Sequence, residues 1–544
     1  MAFDPFNLDD EPHAYLNGDE RAGATVGGKP SYTIAQAGNQ LIRGEAGWGG
    51  VLGQGFTVTY GFRADAPTVM PKNIEGFQRF STAQIRAAEL ALQSWSDAGA
   101  ITFVRQGFGD QGEAAYTNNA TILFSNYTTG EPGAAAFSNF PGSTRPTSND
   151  GDVWVNATLS SNQNLTVGGY GAFVLVHELG HAVGLAHPSD YDVGDTDAAT
   201  YALNASYYED SQQYTVMSYF SAGNTGGRTA GIFPSAPMLD DIAAIQQEYG
   251  PNMSTRTGDT IYGFNSTADR PWFQAASPAS RLIFAVWDAG GSDTFDFSGY
   301  SSSQLIDLRD GYFSDVGGLV GNIAIAAGVV IENARGGGGA DNMIGNTSAN
   351  SIFGGAGDDS IQGGAGQDYL RGDAGADRIF GGADFDDING NTGNDTASGG
   401  EGSDWVVGGQ DNDSLSGDDG ADIVYGNLGN DTCDGGPGDD LIRGGQGDDS
   451  LIGGAGADFV SGDRGSDTLS GGGGADIFNV FVGAGADRIL DFSAGEGDRV
   501  RVESGAYTLL QSGADVVVDL GAGDQLILAG VSLATLPDGW IVAA

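Results

Sequence analysis

Three of the four histidines in the 544-residue chain fall within twelve residues, His177 to Pro188, which read H-E-L-G-H-A-V-G-L-A-H-P. His177 and His181 are four apart, so on a helix both rings leave one face about a turn apart, a spacing that lets two imidazoles share one metal ion. Gly184 can take the backbone conformation that ends a helix, and the turn after it brings His187 round as a third nitrogen ligand. Three nitrogens on zinc leave a position for water, the arrangement of catalytic rather than closed structural sites. Zinc lowers the pKa of its water to about 7, and Glu178, next to a ligand, is placed to accept the water's proton and pass it to a leaving amine. The plain alternative is a helix with two satisfied histidines and a third in a nearby loop, and the length of the motif argues against it.

A rigid body must carry that helix, and residues 30–250 have the texture of a globular domain. Ser81-Thr82-Ala83-Gln84 is a capping-box pattern, opening a helix with Ile85, Ala88, Leu92 and Trp95 on one stripe. β-rich runs follow from Ile101 to Val104 and from Ala120 to Phe124, and Ala134-Ala135-Ala136-Phe137 reads as a sheet edge. An exposed edge strand pairs readily with the backbone of an extended peptide. The motif helix is expected from Gly171 to Val183, and Leu239, Ile242, Ile245 and Tyr249 mark a closing helix that stops at Gly250. Residues 1–29 are polar, acidic and Gly-rich, and are expected to form a mobile arm or pro-segment with His13 at its surface.

The net charge of −49 argues against nucleic acid and anionic membranes as partners and favours cations. No apolar run is long enough for a membrane span. Cys433 is the only cysteine, which excludes an intramolecular disulfide and leaves bound metal as the staple for an exported chain. The acidic start has no basic n-region or apolar core, so a cleaved signal peptide of the usual kind is not expected.

Residues 251–335 turn β-rich, and from Gly336 to Asn479 a nine-residue unit repeats sixteen times without insertion. Every unit starts with Gly. The sixth position is Asp341, Asp359, Asp368, Asp377, Asp386, Asp395, Asp404, Asp413, Asp422, Asp431, Asp440, Asp449, Asp458, Asp467 and Asp476, with Asn350 as the exception. The eighth is apolar in most units, as at Ile352, Leu370 and Phe478. This is the calcium-binding parallel β-helix pattern. Six residues form a Gly-dependent turn offering hard oxygens to Ca²⁺, and three form a short strand with its eighth residue inward. Two units make a coil, giving about eight coils. Cys433 and Ala397 sit at eighth positions, as a core filler and a thin spot. Ser348, Asp384 and Asp411 replace the fourth-position Gly. Residues 480–544 read as a β cap, with an apolar C-terminal tip that has the look of an export address.

With the zinc stretch, Val216-Met217-Ser218-Tyr219, Leu239-Asp240-Asp241-Ile242-Ala243-Ala244-Ile245-Gln246 and Arg256-Thr257-Gly258-Asp259-Thr260-Ile261-Tyr262-Gly263-Phe264-Asn265 in this order, the chain resembles the serralysins, secreted metalloproteases of the metzincin group. The fold class so implied is α+β: an N-terminal metzincin zinc-protease domain followed by an all-β parallel β-roll with a β cap. The resemblance implies one catalytic zinc on His177, His181 and His187, Glu178 as catalytic residue, Met217 as the floor under the metal and Tyr219 as a displaceable ligand and catalytic residue. It implies structural calcium on Arg256, Gly258 and Thr260, on Asp288, Gly290, Gly291 and Asp293, and on Glu332, Gly337, Gly339 and Asp341, besides the array. It further implies protein or peptide substrates, a type I secretion apparatus reading the C-terminus, a proteinaceous inhibitor, and a monomer released outside the cell. Val330 departs from the family at a position that is often polar. A calcium-dependent adhesion protein with a vestigial protease domain is the rival from another class.

Overall fold

The computed structural model describes residues 15–23, 25–131, 134–146, 148–191, 199–503 and 505–543. Among them the chain forms two compact units, one of residues 15–294 with 309–331 and the other of residues 295–308 with 332–543.

In the first unit a six-stranded sheet runs in the order Ile101–Arg105, Phe56–Arg63, Ile122–Tyr127, Val153–Asn156, Ala136–Ser138, with Tyr116–Thr117 beside Phe56–Arg63. All pairings are parallel except the last. Parallel neighbours need a crossover, and the helix Thr82–Ala98 supplies the one between Phe56–Arg63 and Ile101–Arg105. Ser81 caps it by the expected box. Phe62 and Phe124 of the sheet and Phe80, just before this helix, form a tilted ring cluster with centroids 5.4–5.8 Å apart. The motif helix, Tyr170–Ala182, follows the strand Val153–Asn156, and the closing helix Leu239–Tyr249 ends at Gly250, whose φ is 79°. Ala136–Ser138, overlapping the run expected as an edge, lies at the end of the sheet and pairs on one side only among the described residues.

The described part of the N-terminal arm is packed and not the free arm expected: Tyr15, Asn17 and Arg21 are buried, and Arg21 pairs with Asp240 inside the unit. His13 lies outside the described residues. Arg256 and Arg270, past the change of texture at residue 251, both pair with Asp97 on the helix Thr82–Ala98.

The second unit is a parallel β-roll. Strands pair at a stride of eighteen residues, Ser351 with Tyr369 and Tyr369 with Asp387, which makes two nine-residue units one coil. One sheet is thirteen-stranded, from Leu305–Asp307 to Thr508–Ser512; the other climbs from Asn333–Arg335 to Arg499–Val502 and Ile541–Ala543. The eighth-position side chains stack as two buried files, among them Ile352, Leu370 and Ile388 on one face and Ala397, Leu415 and Cys433 on the other. The strands are longer than expected: most hold six residues, as in Ser351–Ala356, because the first three residues of the next unit continue the ladder. The first-position glycines also have another cause than turn conformation. A Cβ at Gly354, Gly363 or Gly372 would fall on the carboxylate of the Asp five residues on. Asp384 and Asp411, in place of fourth-position Gly, take φ of 75°. At the C-terminal end Trp540 is buried 5.9 Å from Phe492, and Ile541–Ala543 joins the sheet as part of a cap.

Candidate metal centre and active site

The motif helix buries nearly every residue from Phe173 to Ala182, so its histidines face protein and not bulk water. Each imidazole Nδ1 meets a backbone carbonyl: His177 that of Val216 at 2.8 Å, His181 that of Leu185 at 2.6 Å and His187 that of Tyr191 at 2.9 Å. A carbonyl only accepts, so each Nδ1 carries the proton and each Nε2 is a bare lone pair. Those lone pairs converge, with His187 Nε2 3.1 Å from His181 Nε2 and 3.3 Å from His177 Nε2. With no proton between them the three nitrogens repel, and a cation at their centre turns the repulsion into ligation. Nitrogens bound tetrahedrally at about 2.05 Å from zinc stand about 3.3 Å apart. The donor set therefore fits zinc. Burial, and then the neighbouring histidines, pushes all three imidazoles down to about 3, which keeps them neutral ligands.

Local sequence explains the geometry. Gly184, at φ 114°, turns the chain after the helix so that Leu185 offers its carbonyl back to His181 and His187 returns to the face. Trp48 Nε1 and the Tyr249 hydroxyl bond the carbonyls of Ala182 and Val183 that the helix end leaves open. Met217 is fully buried, with its thioether against Gly180. A Cβ at Gly180 would sit well inside contact with Met217 Sδ and 3.1 Å from both Met217 Cε and Trp95 Cζ2, so the helix accepts a glycine in its interior to admit that sulfur.

Glu178 is buried, its Oε2 meets no donor, and burial pushes its carboxyl up to about 8. It borders a cleft of about 870 Å³, also lined by His181, His187, Tyr219 and the edge-strand residues Ala136, Phe137 and Ser138. The Tyr219 ring is 4.4 Å from that of His187 and partly exposed. The protein thus brings together His177, Glu178, His181, His187, Met217 and Tyr219, all singled out from sequence. Among the described residues His177, His181 and His187 are the one cluster of His, Cys, Asp or Glu whose ligand atoms lie within 4.8 Å of one another.

Comparison with known proteins now bears on this geometry. A family model described as "Peptidase M10 serralysin C terminal" matches residues 251–525. Serralysin G of Dickeya chrysanthemi is 46% identical over 338 residues, 61% of this chain and 68% of that protein. Metalloprotease AprA of Pseudomonas entomophila is 45% identical over 339 residues, 61% of this chain and 67% of that protein, and serralysin of Photorhabdus luminescens is 44% identical over 342 residues, 62% and 67%. The chain belongs to the serralysin family. It is accordingly a metalloprotease, and a serralysin's zinc fits the three nitrogens described above.

Two acids that hold this serralysin's site had been missed as such. Asp241 accepts from Thr215 Oγ1 at 2.6 Å, Val216 N at 2.7 Å and Met238 N at 2.9 Å, and so fixes the carbonyl that orients His177. Asp210 accepts from Ser189 Oγ, Tyr191 OH and Ser218 Oγ at 2.7–2.8 Å, tying the loop that orients His187 to the turn that carries Met217. Burial raises both, Asp241 to about 7. Their sequence signal is faint: Glu209-Asp210 and Asp240-Asp241 are adjacent acids bracketing an apolar turn.

Of the calcium positions, Gly258, Thr260, Asp288, Gly290, Gly291 and Asp293 gather in one neighbourhood. Asp293 accepts from Thr260 N at 2.8 Å, Asp288 accepts from Gly290 N at 3.0 Å, and Gly291 lies so close to Gly258 that a Cβ would clash. Arg256 has φ 46°, and its side chain bonds the carbonyl of Trp287. In the roll, each ladder Asp accepts one N–H from the coil below, as Asp359 does from Asp341 at 2.7 Å, while its buried Oδ2 meets no donor from Asp359 to Asp476. A file of unpartnered carboxylate oxygens between glycine carbonyls suits a hard divalent cation. Asp341 differs, its Oδ2 being taken by Gly337 N and Gln304 Nε2 at 2.7 and 3.3 Å. Glu332 joins that first coil through its carbonyl, which accepts from Ser351 N at 3.1 Å. Gly339 packs against the backbone at Ser302 and Ser303.

Proposed function

We propose that this serralysin is a secreted zinc endopeptidase, cleaving peptide bonds of extracellular proteins, with a roll that folds on calcium. The convergence of three bare Nε2 atoms beside an unpartnered carboxylate, on the wall of a cleft that carries a free strand edge, supports that reading most directly. Zinc on His177, His181 and His187 supplies a Lewis acid and an acidified water near neutral pH. Ala136–Ser138 pairs with the extended substrate and holds the scissile carbonyl in register. A dication on the neighbouring histidines would offset the effect of burial and keep Glu178 ionised, so that its Oε2 takes a proton from the attacking water and delivers it to the amine that leaves. The Tyr219 hydroxyl swings to donate to the oxyanion that develops on the carbonyl. The ladder from Asp359 to Asp476, with the clusters around Asp293 and Asp341, holds calcium, and the capped C-terminus is read by a type I exporter before the roll folds outside.

The test is casein hydrolysis by the parent and by Glu178→Gln, with zinc measured in both. The expected result is equal zinc and a loss of about 10²- to 10⁴-fold in kcat. Hydrolysis retained in the variant, or surviving zinc chelation in the parent, overturns the reading.

A further inference from the structure

The same unit holds a second buried cluster, which the reaction does not use. Arg21 donates through both Nη atoms to Asp240 at 2.8 and 2.9 Å and through Nε to the carbonyl of Tyr32 at 2.8 Å, and stands 3.7 Å from Glu209. None of these three charged side chains has any exposure. The guanidinium covers the ring of Tyr214, whose hydroxyl accepts from Leu16 N and donates to Leu16 O, both at 2.9 Å, and whose carbonyl receives Asp240 N. The other end of the segment is pinned as well: Gly18 N bonds Gly311 O at 2.9 Å, and the Tyr15 hydroxyl bonds Asp315 at 2.9 Å.

Asp240, which Arg21 grips, and Glu209, which stands beside it and accepts from Ser31 Oγ and Tyr32 N, are each followed in sequence by an acid that holds the metal site. Asp240 precedes Asp241, which fixes the carbonyl partner of His177; Glu209 precedes Asp210, which fixes the loop of His187. We propose that Arg21 is a positioning residue for zinc, and that residues 15–21 are a strap whose docking sets the spacing of the three Nε2 atoms. Removing the guanidinium leaves two buried carboxylates with one cation fewer, and they relieve that by taking up a proton, drawing in water or moving outward, each of which changes the contacts that hold them. Their chain neighbours, Asp241 and Asp210, move with them. Partners one step removed from a metal commonly carry about ten- to hundredfold of its affinity.

This inference rests on the zinc reading above, and the experiment separates the two. Zinc affinity of the full chain is measured by competition with a chelating indicator, alongside thermal unfolding and the kcat and KM for casein. Arg21→Lys keeps the charge and loses the two-pronged grip; it should stay folded and bind zinc about three- to tenfold more weakly, with kcat falling more than KM. Arg21→Leu should lose tenfold or more. Arg63→Lys, which loosens another buried pair, Arg63 with Asp152, should cost thermal stability and leave zinc affinity at the parental value. Folded Arg21→Lys with parental zinc affinity overturns the proposal, as does an equal loss in Arg63→Lys; should Arg21→Leu not fold, Arg21→Lys decides alone. A parent that binds no zinc sinks the proposed function instead.

Discussion

Stripping calcium from the roll should make its stability fall as pH rises, the reverse of ordinary acid unfolding. Burial first, then neighbouring carboxylates, lifts Asp359 and Asp386 to about 8, Asp368, Asp377, Asp413, Asp422 and Asp449 to about 7, and Asp404 and Asp458 to about 6. An unfolded Asp titrates near 3.9. Between about pH 4 and 8 the folded roll therefore binds more protons than the unfolded chain, and the linkage relation makes stability decline through that window. Each proton linked over one pH unit is worth about 1.4 kcal/mol. As a lower bound, only about one unit of each shift is counted. Nine carboxylates then cost about 12 kcal/mol by pH 8, as much as the whole stability of an ordinary domain. The calcium-free roll should be unfolded at pH 8 and regain strand structure near pH 5.5. Calcium at pH 8 should restore it by meeting the open Oδ2 atoms. Cys433 reports the same event, since it has no exposure in the folded core and its thiol is held far above the usual range by burial. The assay is far-ultraviolet circular dichroism with thiol titration of chelator-treated protein across this pH range, in low and in high salt. Salt screens the general repulsion of a −49 chain but not the buried file. A calcium-free roll that is folded at pH 8 with an unreactive Cys433, or one rescued there by sodium chloride alone, would falsify the reasoning.

Other outcomes follow from single contacts. Gly180→Ala drives a methyl into Met217 Sδ and should cost about 1–3 kcal/mol, read as a lower Tm, together with weaker zinc binding; an unchanged Tm would show that the sulfur does not lie there. Tyr219→Phe should lower kcat about ten- to hundredfold with KM nearly constant, less than Glu178→Gln does, and a loss as deep as that variant's removes its assigned part. Asp241→Ala strips the acceptor from Thr215, Val216 and Met238 and should cost about 3 kcal/mol or more, with zinc affinity falling in the same protein. Chemical denaturation and chelator competition check both halves.

What could be read in the chain alone was whatever repeats or lies close in sequence. The array was legible because its contacts recur at a stride of eighteen residues, so one period carries register, core files and ion ladder together. His177, Glu178, His181 and His187 were legible because a helix and one turn suffice to gather them. The six-residue strands were not, since only stacking of neighbouring coils continues the ladder into the glycines. Neither was the reason for Gly180, which is a sulfur thirty-seven positions away in the chain. Arg21 looked like part of a polar arm. Its partner Asp240 lies 219 residues along, and nothing in composition or period links them. A buried charge is stabilised by whichever opposite charge the packed fold delivers. The sequence by itself therefore determined the histidine cluster and the architecture of the roll, while tertiary packing alone decided which acids fix the carbonyls and loops behind those histidines and which sulfur and arginine pack near them.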